Sequence, residues 1–113
     1  MTSRVAIYSF GLKGGPRPPL KGSQQLDCRV LPNPWSDPNL RAMTGRNPKI
    51  REFLEQDLLF EKLVGDAIRV ATETGAVSFY CIGGKHRSVC LAEVTAGRFR
   101  EAGWKVDLKH LAL

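Results

Sequence analysis

The sequence predicts an α/β protein: a single three-layer-like domain, residues 1–113, in which a small, mostly parallel sheet of about four strands is flanked by helices. Strand-like runs alternate along the chain with helical patterns, and strands joined through helices pair in parallel through right-handed crossovers. A glycine-rich loop joins one strand directly to a helix, and junctions of this kind hold anions in α/β proteins. A chain of 113 residues is long enough to form one domain with its own core.

The first predicted strand, Arg4–Phe10, is rich in β-branched and aromatic residues. Residues 12–25 then hold glycine and proline at a density that no regular element tolerates, so we expect a loop. This loop is basic because it carries Lys13, Arg17 and Lys21. Positive charge of this kind could contact RNA phosphates.

Short strands, irregular segments and helices follow one another in the middle of the chain. Leu26–Leu31 has the alternating character of a second strand, and the three prolines between Pro32 and Pro38 predict an irregular segment. Residues 39–46 predict a short turn of helix that ends at Gly45. Asn47-Pro48 has the residues of a helix start, with Asn as the cap and Pro in the first turn.

The second half of the chain predicts a helix, a strand, a helix and a last strand. A broad apolar face over Leu58–Thr74 predicts a long helix that is closed by Gly75. The third strand, Ala76–Tyr80, follows directly. A further helix is expected over Ser88–Ala102, and Trp104–Leu111 alternates well enough for a fourth strand.

The glycine loop, Cys81–Ser88, carries the strongest functional signal. Gly83 and Gly84 permit backbone angles and a close approach to a ligand that other residues do not. Lys85 and Arg87 add positive charge where backbone N–H groups converge at a helix start. A phosphate fits this loop better than other common ligands, while His86 is able either to donate to a phosphate or to cap local carbonyls.

The loops that follow the predicted strands are expected to share one rim of the sheet. Ligands of open parallel sheets bind beyond the carboxyl ends of the strands. The segments after Phe10, Leu31 and Cys81 are also the three least regular segments of the sequence. Their coincidence favours a single site, with Trp35 as a residue that stacks on the ligand or closes over it.

An enzymatic alternative arises from the same loop. Cys81 and Arg87 are separated by five residues and Ser88 follows, which is the Cys-x5-Arg-Ser/Thr spacing of cysteine-dependent phosphatases and arsenate reductases. In such enzymes a thiolate attacks phosphorus while loop amides and the arginine hold the oxygens. Asp37 is the candidate general acid for the leaving group. The alternative to both functions is a tight turn around an inert, buried cysteine.

Composition restricts the setting and the partners. The formal net charge of +6 suits an anionic partner or simple solubility. Three cysteines, Cys28, Cys81 and Cys90, lack metal-ligand spacing, so we expect neither a disulfide scaffold nor a metal site, and no cofactor. No apolar stretch approaches the ~20 residues that span a bilayer, and the N-terminus has no signal peptide pattern. These features predict a cytoplasmic protein that does not engage a membrane.

Several single residues carry expectations of their own. Cys28 and Cys90 are expected to face the core. Asp27 and Arg29 would then lie on the opposite face of their strand, as a structural ion pair or as ligand contacts. His110 is expected to be solvent-exposed near the end of the last strand.

The last predicted strand also carries an exposed basic face. Lys105 and Lys109 alternate there with Val106 and Leu108. Such a face is usually a solvated edge, and it could also touch RNA phosphates.

Five motifs that occur in one order give the chain a family resemblance. They are Ser9–Lys13, Asp27–Pro34, Asp37–Pro38, Leu40–Gly45 and Cys81–Val89. Together they resemble the RapZ (RNase adapter protein) C-terminal domain family over nearly the whole chain. The resemblance implies a domain that binds a phosphorylated amino sugar, glucosamine-6-phosphate, binds structured RNA, presents that RNA to an endoribonuclease and self-associates.

The resemblance also implies a set of pocket residues. By position in the motifs they are Ser9, Asp27, Arg29, Gly83, Gly84, His86 and Arg87, with Arg41 and Thr44 nearby. The sequence departs from the family pattern where Trp35 replaces a ligand-contacting histidine and Ile82 replaces a threonine in the glycine loop. It also lacks the Gly-x4-Gly-Lys-Ser/Thr run of the family's P-loop domain, so ATP or GTP hydrolysis is not implied.

Overall fold

The computed structural model describes residues 3–113, which form four strands and three helices. The strands are β1 (Arg4–Gly11), β2 (Gln25–Asp27), β3 (Ala76–Cys81) and β4 (Lys105–His110), and the helices are α1 (Pro48–Leu54), α2 (Leu59–Thr74) and α3 (Arg87–Glu101). The strands form one sheet in the order β2-β3-β1-β4, and every neighbouring pair is parallel. The predicted α/β class with a parallel sheet and flanking helices is confirmed.

The helices lie on one face of this sheet. Val5, Ile7, Val77 and Phe79 point to that face and form one core cluster with the buried residues of α2 and α3, whereas α1 packs against α3. The steps from β2 to β3 and from β3 to β4 run in the same direction across the sheet. Right-handed crossovers therefore place both helical connections on the same side.

The basic loop covers the opposite face of the sheet and supplies the third layer. The step from β1 back to β2 runs in the reverse direction, so a right-handed connection crosses the other face. Contacts agree with this placement: the Arg17 guanidinium lies 5.3 Å from the centroid of the Phe10 ring, and the Ser78 hydroxyl donates to the Gln24 carbonyl at 3.3 Å. A glycine- and proline-rich segment thus occupies the position of a second helical layer.

The second strand is shorter than the alternation predicts. Instead of Leu26–Leu31, the strand covers Gln25–Asp27 and passes into a 3-10 turn over Cys28–Val30. The Asp27 carboxylate ends the strand because it accepts the Arg29 N–H at 2.9 Å and so caps the turn. The alternating pattern was therefore a wrong guide to extended structure beyond Asp27.

The predicted turn of helix over residues 39–46 is also wrong. That segment is a chain of turns without helix, and a 3-10 turn over Pro34–Ser36 precedes it. Within the basic loop, another 3-10 turn covers Gly22–Gln24, and Gln25 already belongs to β2. The other elements agree with their predicted positions to within one or two residues.

His110 is buried, contrary to the exposure expected from its place near the chain end. The alternation of β4 points its side chain to the helix-covered face together with Val106 and Leu108, which leaves it 3% exposed. Its Nδ1 lies 2.6 Å from the Ser9 hydroxyl and its Nε2 lies 3.0 Å from a carboxylate oxygen of Glu93. The expected burial of Cys28 and Cys90 is confirmed.

The described part of the chain contains no helix that is long and apolar enough to cross a membrane. Residues 3–113 also contain no cluster of three or more His, Cys, Asp or Glu side chains that could hold a metal ion.

Candidate functional site

The loops after β1 and β3 leave the sheet side by side. Gly11 pairs with Cys81 at the end of the ladder. The pairing then continues beyond the strands, because the Leu12 N–H donates to the Cys81 carbonyl at 3.0 Å and the Lys13 N–H donates to the Ile82 carbonyl at 3.1 Å. Lys13, the first cation of the basic loop, is thereby held against the glycine loop.

Gly84 must be glycine in this arrangement. Its φ of +72° lies in the left-handed region, and a Cβ there would lie 2.6 Å from the Gly11 nitrogen and 2.8 Å from the Ala112 Cβ. The backbone after β1 and the residues after β4 both pack on the loop at this point. Two strand ends and the segment after β4 therefore fix the shape of the glycine loop.

Gly45 fixes the turn segment, residues 39–46, on the other side of the loop. The Gly45 N–H donates to the Lys85 carbonyl at 2.7 Å. A Cβ on Gly45 would lie 2.8 Å from the Val89 Cβ and closer still to the His86 carbonyl, so only glycine fits against the start of α3. This contact brings Arg41 and the rest of the turn segment next to the glycine loop.

These segments enclose a cleft of about 710 Å³ beyond the carboxyl ends of the strands. It is lined by Lys13, Asn33, Trp35, Arg41, Ala42, Met43, Thr44, Cys81, Ile82, Gly83, Lys85, His86, Arg87, Ala112 and Leu113. Four of these side chains are permanent cations and none is a carboxylate. The side chains that line the cleft therefore carry a net positive charge.

Arg87 is buried at the base of α3 and is 6% exposed. Its Nη1 donates to the Arg29 carbonyl at 3.3 Å and to the Leu31 carbonyl at 3.1 Å. Within residues 3–113, its Nη2 and Nε donate no hydrogen bond to protein. One nitrogen thus holds the segment after β2 in place, and the guanidinium keeps two further donating groups for a ligand.

His86 links the glycine loop to the turn segment. Its Nε2 lies 3.2 Å from the Arg41 carbonyl. Because a carbonyl only accepts hydrogen bonds, Nε2 carries the proton, and in the neutral ring Nδ1 is then the acceptor. Of the two roles expected for His86, the structure thus shows a bond to a backbone carbonyl.

Trp35 and Arg41 form another part of the cleft wall. The Trp35 side chain belongs to a residue that is 58% exposed, and the Arg41 guanidinium lies 5.6 Å from its ring centroid. Arg41 Nε also donates to the Trp35 carbonyl at 2.6 Å, and the Asn33 side chain accepts the Trp35 N–H at 3.1 Å. The backbone of this tryptophan is fixed at both of its polar groups while the indole stays open to the cleft.

Cys81 lies at the floor of the cleft and is 3% exposed. Its Sγ lies 3.2 Å from the hydroxyl of Ser88, a buried residue in the first turn of α3. Asp37, the candidate acid, does not line the cleft. Its carboxylate instead accepts the Asn39 N–H at 2.9 Å and stabilises the turn that follows.

Four residues of the pocket that the resemblance implies do not line the cleft, and one of them, Gly84, packs against Gly11 and Ala112 instead. Ser9 is fully buried and is hydrogen-bonded to His110. Asp27 and Arg29 form an ion pair, with 2.8 Å between Oδ2 and Nη2. The hydrogen bond from the Arg29 side chain lowers the pKa of Asp27. The guanidinium also lies 5.7 Å from the Tyr80 ring centroid, so this pair is engaged within the fold.

The RNA-contact candidates divide between the cleft and the loop-covered face of the sheet. Lys13 lines the cleft. Arg17 lies on Phe10, and Lys21 is exposed just before the turn that leads into β2. Lys105 and Lys109 are exposed on β4 beside Arg4 and Tyr8 of β1. Asp107 interrupts this basic face and lies 3.6 Å from the Arg4 side chain.

Some lining residues carry no signal in the sequence. Met43, Ala42, Ala112 and Leu113 line the apolar part of the cleft. Their side chains have no chemistry that marks a site. The segment after β4 lies here because Ala112 packs against Gly84 and the Leu111 N–H donates to the Ser9 carbonyl at 2.8 Å. Asn33 was visible only as part of a family motif.

The chain is similar to one protein family and to several longer bacterial proteins. The family model described as the RapZ C-terminal domain matches residues 3–113. A nucleotide-binding protein of Acidiphilium cryptum is 35% identical over 96% of this chain and 39% of its own length, and one of Laribacter hongkongensis is 39% identical over 96% and 42%. The nucleotide-binding protein Smlt1108 of Stenotrophomonas maltophilia is 42% identical over 89% of this chain and 37% of its own length. The chain thus spans about two-fifths of the length of these relatives.

Proposed function

The chain belongs to the RapZ C-terminal domain family, and from this premise we propose that it is a non-catalytic module that binds a phosphorylated small molecule in the cleft. One observation carries the proposal: four permanently cationic side chains and no Asp or Glu side chain line a cleft that contains a strand-to-helix loop. The family resemblance makes glucosamine-6-phosphate the first ligand to test. In this role the domain is a sensor that reports the ligand to a protein or RNA partner.

The positions of the cations support a phosphate at the loop end of the cleft. Arg87 is fixed by two carbonyls and presents its remaining donors, while Lys13 and Lys85 are exposed on the rim. The buried guanidinium supplies a preorganised partner for oxygen atoms, and the two flexible ammonium groups attract the anion. The N-terminus of the 15-residue α3 adds a partial positive charge to the same spot.

A calorimetric titration tests this proposal directly. Inorganic phosphate, glucose-6-phosphate and glucosamine-6-phosphate are titrated into the wild-type chain and into Lys85→Gln. Lys85 is exposed, and its side chain donates no hydrogen bond to residues 3–113, so its loss should weaken binding of every phosphate without lowering stability. Lys49→Gln is the matched control, because Lys49 is exposed at the start of α1 outside the cleft and its loss changes net charge equally.

Three results separate the possibilities. Affinity that falls severalfold in Lys85→Gln and stays unchanged in Lys49→Gln supports a phosphate site at the loop. Equal losses in the two variants would instead show a response to net charge alone. Absence of any heat with all three ligands would refute phosphate binding by the isolated chain.

We further propose that ligand binding is coupled to RNA, as the family resemblance suggests. Lys105, Lys109 and Arg17 share the loop-covered face of the sheet, where Asp107 lies between the two lysines. Each phosphate contact steepens the plot of log affinity against log salt by about 0.7 to 0.9. A structured RNA should therefore bind with a slope that becomes shallower by about 1.4 to 1.8 in Lys105→Gln/Lys109→Gln. A flat salt dependence would argue against this role.

Presentation of RNA to an endoribonuclease and self-association belong to the same proposal. The relatives are more than twice as long as this chain, so in those relatives such activities have further residues to draw on beyond the part that this chain matches. Sedimentation analysis with and without an RNA ligand measures the oligomeric state.

A second candidate function is a cysteine-dependent phosphatase or arsenate reductase, and one contact favours it. The Ser88 hydroxyl lies 3.2 Å from the Cys81 sulfur, where it could stabilise a thiolate during attack on phosphorus. The position of Asp37 outside the cleft leaves the leaving group without that acid. Turnover of p-nitrophenyl phosphate that disappears in Cys81→Ser would establish the activity, and no turnover between about pH 5 and pH 8 would reject it.

A further inference from the structure

A buried polar network lies directly before the segment that forms one side of the cleft. It joins Ser9 of β1, His110 of β4 and Glu93 of α3. We infer that His110 is a positioning residue for the phosphate site, which holds residues 111–113 as a wall of the cleft, and that a proton on its ring strengthens anion binding from outside the cleft. The inference rests on the proposed function and adds a means of regulating the same site.

Both ring nitrogens of His110 are engaged. Nε2 lies 3.0 Å from a carboxylate oxygen of Glu93, and because a carboxylate only accepts hydrogen bonds, Nε2 carries a proton. In the neutral ring Nδ1 is then the acceptor, and the Ser9 hydroxyl, 2.6 Å away, donates to it. A side chain that is 3% exposed and bonded at both nitrogens has a fixed orientation.

Ser9 connects this imidazole to the wall of the cleft. Its carbonyl accepts the Leu111 N–H at 2.8 Å, so one residue of β1 holds both the side chain of His110 and the backbone of the next residue. The segment after β4 then packs on Gly84 through Ala112, and its last two residues line the cleft. A change in the bond between His110 and Ser9 therefore acts directly on the segment that lines the cleft.

Glu93 connects the imidazole to solvent on another side of the molecule. Its side chain is 31% exposed and lines a groove of about 380 Å³ between α1 and α3. Arg46 lines the same groove, and its Nε lies 3.4 Å from the Glu93 oxygen that meets His110. This groove offers a proton a route to His110 that does not pass through the cleft.

Two charged groups dominate the surroundings of His110. The Glu93 carboxylate meets the ring, and Arg46 stands behind it. Cys90, one turn earlier on α3, stays neutral because burial raises its pKa to about 12. The other charged or titratable side chains of β1, β4 and α3 are engaged or exposed elsewhere: Arg4 with Asp107, Arg98 with Glu61, Arg87 on the carbonyls after β2, Tyr8, Lys105 and Lys109 on the loop-covered face, and Arg100 and Glu101 in solvent.

Protonation of His110 changes both the network and the charge beside the cleft. Nδ1 becomes a donor, so the Ser9 hydroxyl has to turn its own proton away from the ring. The ring also gains a positive charge two residues before Ala112, which lines the cleft. Histidine side chains as a class change charge between about pH 5 and pH 8, so an anion in the cleft should bind more tightly toward the acidic end of this range.

The experiment uses inorganic sulfate as the probe, because its charge does not change in this pH range. The chain has two histidines, and His86 lines the cleft, so His86→Gln leaves His110 as the remaining imidazole. Sulfate affinity is measured from the amide resonances of Gly83 and Gly84 between about pH 5.5 and pH 8. In His86→Gln it should rise about two- to fivefold as the pH falls, the effect of one added charge, and in His86→Gln/His110→Gln it should stay constant.

A measurement without ligand tests the link to the wall. In His86→Gln the amide resonances of Leu111 and Ala112 should shift with the same midpoint pH as the ring protons of His110. In His86→Gln/Ser9→Ala the ring should still titrate while the amide shifts become smaller, because only the bond between the ring and β1 is lost. This variant keeps His110 and Glu93 in place, so it answers the question even if His110→Gln does not fold.

The outcomes separate this inference from the proposed function. Sulfate binding with the same pH dependence in the presence and absence of His110 would overturn the inference and leave the phosphate site standing. A His110 ring that does not titrate between about pH 5.5 and pH 8, or amides of residues 111 and 112 that do not follow it, would also overturn it. Absence of binding by both sulfate and glucose-6-phosphate at every pH would refute the proposed function and the regulation of affinity together.

Discussion

Replacing Arg87 with methionine is expected to lower the free energy of unfolding by about 3 to 4 kcal/mol even without ligand. The guanidinium is 6% exposed and donates to the Arg29 carbonyl at 3.3 Å and the Leu31 carbonyl at 3.1 Å. Hydrogen bonds to a charged group each contribute about 1.5–3 kcal/mol, and the longer of the two belongs at the lower end of that range. Methionine keeps the unbranched stem, so the loss reports the polar contacts more than packing.

The assay is urea unfolding followed by circular dichroism, with the free energy extrapolated to zero denaturant. Arg100→Met, on the exposed end of α3, is the matched control and should change the free energy of unfolding by less than about 1 kcal/mol. Arg87→Lys should fall between wild type and Arg87→Met, because an ammonium keeps the charge without the planar fork. A loss in Arg87→Met no larger than that in Arg100→Met would refute the assignment of Arg87 as a structural clamp.

The structural role of Arg87 affects how ligand affinities of glycine-loop variants are interpreted. A variant of Arg87 that loses ligand affinity has also lost the clamp on the segment after β2. Lys85→Gln removes a loop cation without that structural cost, and so it isolates the ligand contribution.

Three further predictions follow from the packing and from one thiol. Gly45→Ala should lower the free energy of unfolding by about 1–3 kcal/mol or prevent folding, because the added Cβ meets the start of α3. Gly65→Ala, where a Cβ meets nothing within 4 Å, should instead raise it by up to about 1 kcal/mol, because alanine favours the helix α2. Thermal unfolding of the two variants checks this pair of predictions. His110→Phe should lower the free energy of unfolding, measured in urea, by about 2–4 kcal/mol, because it leaves the buried Ser9 hydroxyl without its hydrogen-bond partner. Lys109→Gln, on the exposed face of the same strand, should change it by less than about 0.5 kcal/mol. Equal effects of the two substitutions would contradict the buried network. Burial raises the pKa of Cys90 to about 12, so the folded thiol keeps its proton where the unfolded thiol, with a pKa of about 8.5, releases it. The free energy of unfolding of wild type should therefore fall faster than that of Cys90→Ala above about pH 8.5, by about 1.4 kcal/mol per pH unit, in urea titrations with reductant; parallel pH curves would contradict it.

Local patterns predicted most of the secondary structure correctly. The apolar face of α2, its closing Gly75 with φ +88° and the asparagine cap of α1 are set by neighbours in sequence, which is why they could be read directly. The prediction failed for β2 and for the turn segment, residues 39–46. There, side chains of Asp27 and Asp37 bond to backbone groups two residues ahead and override the pattern of polar and apolar residues.

The candidate site, too, was predicted from the sequence only in part. The glycine loop was visible because two glycines and two cations in a strand-to-helix junction have a local meaning. The family motifs pointed to Trp35, Arg41 and Thr44, and these residues do line the cleft with the loop. Their contact depends on Gly45 fitting against α3, which is a feature of packing that no spacing encodes. For Ser9, Asp27 and Arg29 the structure instead shows partners within the fold.

The sequence by itself determined the α/β class, the order of the elements, the positive charge and the glycine-rich loop between a strand and a helix, because each of these depends on residue type or on spacing within a few residues. Only the tertiary structure decided that the helices share one face, that the basic loop covers the other, and that His110 is buried against Ser9 and Glu93. It also decided which cationic and apolar side chains come together around the cleft. These properties arise from strand order and register, which join residues as far apart as Ser9 and His110, and no local pattern carries that information.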